Sequence, residues 1–209
     1  MITTASTRFG FGKNWIKFIE KLSDRQIAEA ERSLTDPLRI SSLEGKKFID
    51  VGSGSGLFSL AAMRLNADQV HSFDYDPDSV ACALELKRRY FPDDSRWIIG
   101  QGDALDKHYM ESLGKWDVVY SWGVLHHTGN MYAALANVAN LVKQGGKLYV
   151  AIYNDQGRKS SMWMSIKKLY NRSPAIVQWL IAAGCFLSLW FVVSLRDLVF
   201  LRPFQTYRN

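Results

Sequence analysis

Residues 50–56 have the types and the spacing of a ligand-binding loop. Asp50 lies near the end of the short apolar run 47–51, and Gly52, Ser53, Gly54 and Gly56 follow that run directly, before a helical segment. Glycines at the end of a strand let the backbone turn tightly and let a ligand approach the amides closely. The pattern therefore favours a binding site over a turn that only connects two elements.

Two features of this loop favour S-adenosyl-L-methionine (SAM) over a dinucleotide. The dinucleotide pattern G-x-G-x-x-G requires a third glycine at position 57, where this chain has Leu57. Asp50 would repel a pyrophosphate, but it would attract a ligand with a cationic ammonium and a sulfonium group. An oxidoreductase of the NAD type is therefore the less favoured enzyme class.

Acidic residues follow two further apolar runs. Asp74 lies 22 residues after Gly52, where an acid in βαβ nucleotide folds accepts hydrogen bonds from ribose hydroxyls. Tyr75 is assigned to the same site, whereas Asp76 is predicted to cap the next helix. Asp103 could accept a hydrogen bond from an adenine amino group, and the small residue that follows it, Ala104, would leave room for the ring.

The candidates for catalysis follow the apolar run 116–122. His126 and His127 are adjacent, and a histidine can take a proton from a hydroxyl acceptor near neutral pH. Because neighbouring side chains point in different directions, at most one of the two is expected to act as the base. The alternative is that a histidine only shapes the loop. Ser121 is assigned to the cofactor site, and no metal site is predicted.

A family resemblance rests on the motifs together. They are, in chain order, Asp50-x-Gly52-x-Gly54-x-Gly56, Asp74, Gly102-Asp103 and the stretch 116–127. This ordered set resembles the class I SAM-dependent methyltransferases, and most closely their bacterial branch that includes the ubiquinone-type O-methyltransferases, over residues 45–155. The resemblance implies SAM as methyl donor, with Asp50 and the glycines near its methionine moiety, Asp74 on the ribose and Asp103 near adenine.

The elements that must position these residues alternate between strands and helices. Strands are predicted at 47–51, 69–73, 97–100, 116–122 and 147–153. Helices are predicted at 57–65, 77–90 and 130–143, the last capped by 144–146, and two short helices within 13–34 are ended by Asp36-Pro37. Such alternation predicts an α/β fold, a Rossmann-like doubly wound and mostly parallel sheet.

The last quarter of the chain departs from the family pattern. The family implies seven strands, whereas only five are found, so the chain is expected to be a fragment that lacks the last two. The predicted domains are an N-terminal helical segment at 1–44, the SAM-binding domain at 45–155 and a helical lid or insertion at 156–209. The uncharged run 175–195 is interpreted as a lid, as a peripheral membrane contact or as a membrane span, and Gly184 could break it into two helices.

Composition narrows the location and the partners. The chain has a net charge of +6 and two cysteines, Cys82 and Cys185, and its whole basic excess lies in residues 155–209. A cytoplasmic protein is expected, with peripheral contact to the inner face of a membrane through 160–202 as a further expectation. The predicted function is methyl transfer to a small-molecule or lipid-like acceptor, with no nucleic-acid partner. The alternative is a non-catalytic SAM-binding module.

Overall fold

A computed structural model describes residues 12–154 and 156–199. The chain divides into two compact units, the first ending at Tyr153 and the second beginning at Asn154. The boundary between them lies between the last strand of the first unit and the first helix of the second.

The first unit is built on a five-stranded sheet. Its strands are β1 (Lys47–Val51), β2 (Gln69–Asp74), β3 (Trp97–Gln101), β4 (Trp116–Trp122) and β5 (Val142–Ala151). All neighbouring strands are parallel, in the order β3-β2-β1-β4-β5. The order reverses between β1 and β4, and ligands of open α/β sheets bind at such a point, beyond the carboxyl ends of the strands. The predicted fold class is confirmed.

Helices cover both faces of this sheet. They are α1 (Gly12–Glu20), α2 (Asp24–Leu38), α3 (Leu57–Arg64), α4 (Pro77–Tyr90), α5 (Lys107–Ser112) and α6 (Met131–Ala139), with a 3-10 turn at Leu125–His127. Alternate residues of each strand enter opposite cores because successive side chains of a strand point to opposite faces. Phe48 packs in the core on the side of α2, α3 and α4, whereas Ile49 packs with residues of α5 and α6.

The predicted end of the N-terminal helical region is wrong. Ser23 caps α2 through a reciprocal capping box with Gln26. The helix then continues through Pro37 to Leu38 and ends on Arg39, whose φ is 52°. Pro37 has no amide hydrogen with which to continue the helical hydrogen bonds, and the helix ends one residue after it.

The predicted cap of the helix before β5 is also wrong. The helix α6 ends at Ala139, and the glycine pair at 145–146 lies inside β5, where the register against β4 shifts. A Cβ atom on Gly146 would lie 3.0 Å from the carbonyl oxygens of both Trp116 and Asp117. The glycine thus permits the close approach of two strands.

The second unit consists of two helices in its described part. They are α7 (Arg158–Arg172) and α8 (Ala175–Val199), which are separated by Ser173-Pro174. The suggested break at Gly184 is wrong, because α8 runs through it without interruption. Among the described residues, α8 is the one helix long and apolar enough to cross a membrane, with a mean hydropathy of 2.1 in its most apolar 18-residue window.

Candidate active site

A cavity of about 460 Å³ opens at the carboxyl ends of the strands in the first unit. This volume is in the range of small-molecule and cofactor sites. Nine of the predicted site residues line it: Asp50, Gly52, Ser53, Gly54, Asp74, Tyr75, Asp103, Ala104 and His127. They come from four different strand ends, so the parallel sheet brings together residues that are far apart in the sequence.

The glycine loop takes a conformation that side chains would oppose. Gly52 and Gly54 have φ values of 74° and 53°, in the left-handed region that favours glycine. A Cβ atom on Gly52 would lie 2.4 Å from Val124, and one on Gly54 would lie 3.0 Å from the indole nitrogen of Trp15. The loop is therefore packed on both sides.

The backbone amides of the loop donate hydrogen bonds to other groups of the protein. Those of Gly52 and Ser53 donate to the carbonyl oxygen of Phe73 at 2.9 and 3.0 Å, and that of Gly54 donates to the carboxylate of Asp74 at 2.9 Å. A loop that cradles phosphates instead points its amides at the ligand. This hydrogen bonding disfavours the dinucleotide alternative.

Asp50 ends a buried chain of hydrogen bonds. The indole nitrogen of Trp97 donates to Ser72 at 2.7 Å, Ser72 donates to Ser59 at 2.6 Å, and Ser59 donates to Asp50 at 2.6 Å. The Asp50 side chain lines the cavity although the residue is only 2% exposed. Burial raises the pKa of Asp50 to about 7, against the lowering effect of the Ser59 hydrogen bond, and the charge of Asp74 adds to the rise.

Asp74 ties the end of β2 to the glycine loop. Its two oxygens accept from the amides of Gly54 and Asp76, both at 2.9 Å. Burial raises its pKa, and these backbone hydrogen bonds counteract the rise. Each carboxylate oxygen has a second lone pair, so Asp74 can still accept from a ligand.

Asp76 caps α4 as predicted. One of its carboxylate oxygens accepts from the amide of Asp78 at 3.0 Å, and the other accepts from the amide of Gly12 at 2.9 Å. Asp76 therefore also fixes the start of α1 beside the cavity, which the sequence did not reveal.

Asp103 and Ala104 form a tight turn after β3. Asp103 accepts from the amide of Leu105 at 2.8 Å, and the carbonyl oxygen of Ala104 accepts from the side chain of Asn137 at 2.9 Å. The turn is thus held from both sides, which fixes the position of Ala104 at the cavity wall.

Three predicted site residues do not line the cavity. A Cβ atom on Gly56 would lie 2.8 Å from the Cβ of Ala83, so Gly56 permits the close packing of α3 on α4. Ser121 is fully buried and donates to the carbonyl oxygen of Val51 at 3.0 Å, which joins β4 to β1. His126 does not line the cavity, and its buried ring nitrogens have no hydrogen-bond partner among the described residues.

Contrary to the expectation from the sequence, the side chains of the two histidines do not point away from each other. Their ring centroids are 4.0 Å apart, and that of His126 is 4.6 Å from the ring of Tyr153. Burial lowers the pKa of both histidines, and the charge of His127 lowers that of His126 further. A lowered pKa keeps His127, which lines the cavity, in the neutral form that can accept a proton.

An aromatic wall, which no sequence motif indicated, completes the cavity. Its members are Trp15 and Phe18 from α1, Phe58 from α3, Trp122 at the end of β4 and Tyr153 after β5. Phe58 stacks on Trp122 with ring centroids 5.8 Å apart. In the sequence these residues look like ordinary core positions, because only the tertiary structure places them around one opening.

The charge of the cavity suits SAM. Four aspartates line it, Asp50, Asp74, Asp76 and Asp103, whereas no lysine or arginine is found among its described lining residues. The buried hydroxyl of Ser53 also has no partner in the described part of the protein, so it can bind a polar ligand atom. An acidic site with aromatic walls fits a cationic sulfonium and an adenosine ring, and the residues present thus fit the cofactor.

The fold and the site define a Rossmann-like α/β protein that is built to bind SAM. Residues 49–148 match a family described as a methyltransferase domain. The chain is 30% identical to the ribosomal protein L11 methyltransferase of Bacillus subtilis over 67% of its length and 49% of that protein. It is 27% identical to the ubiquinone biosynthesis O-methyltransferase of Glaesserella parasuis over 58% of its length and 54% of that protein.

The solved structures agree on the fold. Magnesium protoporphyrin IX methyltransferase from Synechocystis, with bound S-adenosylhomocysteine, has a TM-score of 0.56 and 18% identity, with 78% of this chain and 77% of that one covered. Residues 49–148 thus match the methyltransferase family and the fold of the class I SAM-dependent methyltransferases, and the predicted cofactor, SAM, is confirmed by this match. It spans about half the length of the two curated relatives.

Proposed function

We propose that the first unit transfers the methyl group of SAM to a small-molecule or lipid-like acceptor. The observation that supports this most directly is that Asp50, Asp74 and Asp103, from three strand ends, line one cavity. The amides of Gly52, Ser53 and Gly54 beside it donate to protein groups and so are not directed at a ligand. Such a site attracts a cation and offers no phosphate cradle.

Each aspartate has a proposed role toward the cofactor. Asp50 and the glycine loop hold the methionine moiety, Asp74 accepts from the ribose, and Asp103 with Ala104 contacts adenine. When bound, SAM supplies a methyl group on a positively charged sulfur, which a nucleophile can attack. Catalysis then depends mainly on alignment of the acceptor with that group.

His127 is the proposed base. It lines the cavity beside Val124 and Thr128, and its lowered pKa keeps it neutral near pH 7. A neutral imidazole can take the proton of a hydroxyl acceptor as the new bond forms. His126 has no opening to the cavity, so its proposed role is to pack against His127 and Tyr153 and to hold both rings in place.

The open side of the cavity supports an apolar acceptor. Trp122 is 45% exposed and Tyr153 is 72% exposed, and both line the opening. Exposed aromatic rings bind apolar and planar groups well. Because no lysine or arginine lies among the described lining residues, a phosphate-rich nucleic acid is not proposed as the acceptor. The proposed location of the methyltransferase unit is the cytoplasm, as the sequence predicted.

Calorimetric titration of the full chain with SAM and with S-adenosylhomocysteine tests the cofactor site. We expect saturable binding that Asp50→Ala abolishes and that Asp117→Asn, which lies outside the cavity, leaves intact. A folded chain that binds neither compound would refute the proposed site.

A transfer assay with radiolabelled SAM then separates catalysis from binding alone. The acceptors are a lipid extract, a phenolic small-molecule set and a protein extract. Label in the first two supports the proposed acceptor class, and label only in protein contradicts it. Binding without any transfer would favour the non-catalytic alternative.

A further inference from the structure

The helix α8 is largely uncovered within the described protein. No residue of its most apolar 18-residue window is buried, and Asp197 near its end is the one buried residue among those whose burial is described. Six residues are between 49% and 77% exposed: Ile176, Trp179, Leu189, Phe191, Val192 and Leu195. At about 100° per residue these positions fall on every side of the helix. A core helix of a soluble protein would be mostly buried, so this helix requires a surrounding that is apolar on all sides.

The uncharged run of α8 is as long as a bilayer is thick, and it has a basic residue near each end. Residues 175–195 contain no charge, and 21 helical residues span roughly 31 Å, against a hydrocarbon core of about 30 Å. The run is closed by Arg172 before it and by Arg196 after it. A helix that lies in the membrane plane instead has one strongly polar face, which α8 lacks.

The flanking charges indicate an orientation. The helix α7 carries five basic residues and no acidic one, Arg158, Lys159, Lys167, Lys168 and Arg172. On the other side, residues 196–209 hold three arginines and one aspartate. Basic residues concentrate on the cytoplasmic side of a span and are attracted to its anionic headgroups. The methyltransferase unit, which precedes α7, is therefore on the cytoplasmic side.

We propose that α8 crosses a lipid bilayer once and anchors the methyltransferase unit at the cytoplasmic face, with α7 on the headgroups. The proposal replaces the lid and the peripheral contact that the sequence alone favoured. The proposal does not depend on the acceptor or on catalysis.

Membrane fractionation of the full chain in a bacterial host tests the anchor. We expect the protein in the membrane pellet, resistant to alkaline carbonate and released by detergent. The double variant Leu187→Arg with Phe191→Arg should reduce the carbonate-resistant fraction more than about tenfold, because arginine is strongly disfavoured at the centre of a spanning helix. The matched control, Ser161→Arg with Ser165→Arg, adds the same charge to α7 and should leave that fraction unchanged.

Cysteine labelling decides between a span and a surface contact. In a Cys185→Ser background, where Cys82 is buried, a membrane-impermeant maleimide is added to spheroplasts. Arg196→Cys should be labelled directly, and Asn171→Cys only after permeabilisation. Release of the wild-type chain by carbonate, absence of label at both positions before permeabilisation, or a soluble oligomer on size exclusion would each overturn the proposal. Cooperative thermal unfolding of the double-arginine variant shows that its first unit has folded.

Discussion

Asp50→Asn should stabilise the fold while it removes the binding of SAM. The carboxylate of Asp50 is buried and faces the charge of Asp74, so the ionised form is costly in the free protein. Asparagine has nearly the same shape, and its oxygen can still accept from Ser59. The variant therefore loses the unfavourable charge without the loss of packing, but it also loses the attraction for a cationic ligand.

The magnitude follows from the pKa of Asp50, which is raised from 3.8 to about 7. The folded state holds this proton more tightly than the unfolded state, so the wild-type protein loses stability as pH rises from about 4 to about 7. At 1.36 kcal/mol per pKa unit, the cost is about 4 kcal/mol at pH 8 and about 2 kcal/mol at pH 5. The gain from Asp50→Asn should follow the same pH dependence.

Chemical unfolding of the first unit at pH 5 and pH 8 measures this gain. Asp117→Asn is a matched control of opposite sign. The side chain of Asp117 accepts from Lys143 at 2.7 Å, and this hydrogen bond, with that from the amide of Lys47, lowers its pKa. Its charge therefore stabilises the fold above the unfolded pKa, and its removal should cost stability at pH 8.

Two results would refute this account of Asp50. One is an Asp50→Asn variant that is no more stable than the wild type at pH 8. The other is a gain that does not change between pH 5 and pH 8, which would mean that the effect is not due to the ionisation of Asp50. Retention of SAM binding by the variant would separately contradict the proposed role of its charge.

Three further variants test the loop, the base and the buried hydrogen-bond chain. Gly52→Ala should lower the free energy of unfolding by about 1–3 kcal/mol more than Gly45→Ala does. Both glycines have positive φ, but only at Gly52 would the added Cβ atom meet another side chain, that of Val124. Equal losses in the two variants would contradict this. His127→Ala should lower kcat by about 10²–10⁴, and the acid limb of the wild-type pH–rate profile should lie below 6.5 because burial lowers this pKa; an unchanged profile in a slower variant would exclude it as the base. The affinity for SAM should rise with pH, with a midpoint at the pKa of Asp50. Ser59→Ala should move this midpoint above 7, because the carboxylate of Asp50 loses a hydrogen-bond donor. An unchanged midpoint would contradict the role of Ser59.

Local patterns were sufficient for most elements of the sheet. The predicted strands at 47–51 and 116–122 and the predicted helix at 77–90 have the observed bounds, because apolar runs, a proline at the first turn and charged ends act over a few residues. The glycine pair at 145–146 was misassigned because a helix cap and a strand irregularity both need glycine. The choice between them depends on the approach of β4, which is distant in the chain.

The cofactor site was predictable in part for the same reason. The ends of parallel strands lie at one edge, so Asp50, Asp74 and Asp103 could be placed together from their positions at or just after the ends of apolar runs. Ser121 also lies near the end of such a run, but its side chain faces β1. The sequence did not show to which face of the sheet a residue at the strand end points. The aromatic wall has no motif, since Trp15 and Tyr153 meet at the cavity only after the chain has folded.

The sequence by itself determined the class of fold, the cofactor and the acids that line the candidate site, because these depend on short-range spacing and on the chemistry of single residues. Only the tertiary structure showed which histidine lines the cavity and how burial and the hydrogen bond from Ser59 set the pKa of Asp50. It also showed that α8 is one helix exposed on all sides. These properties depend on what surrounds a side chain in three dimensions.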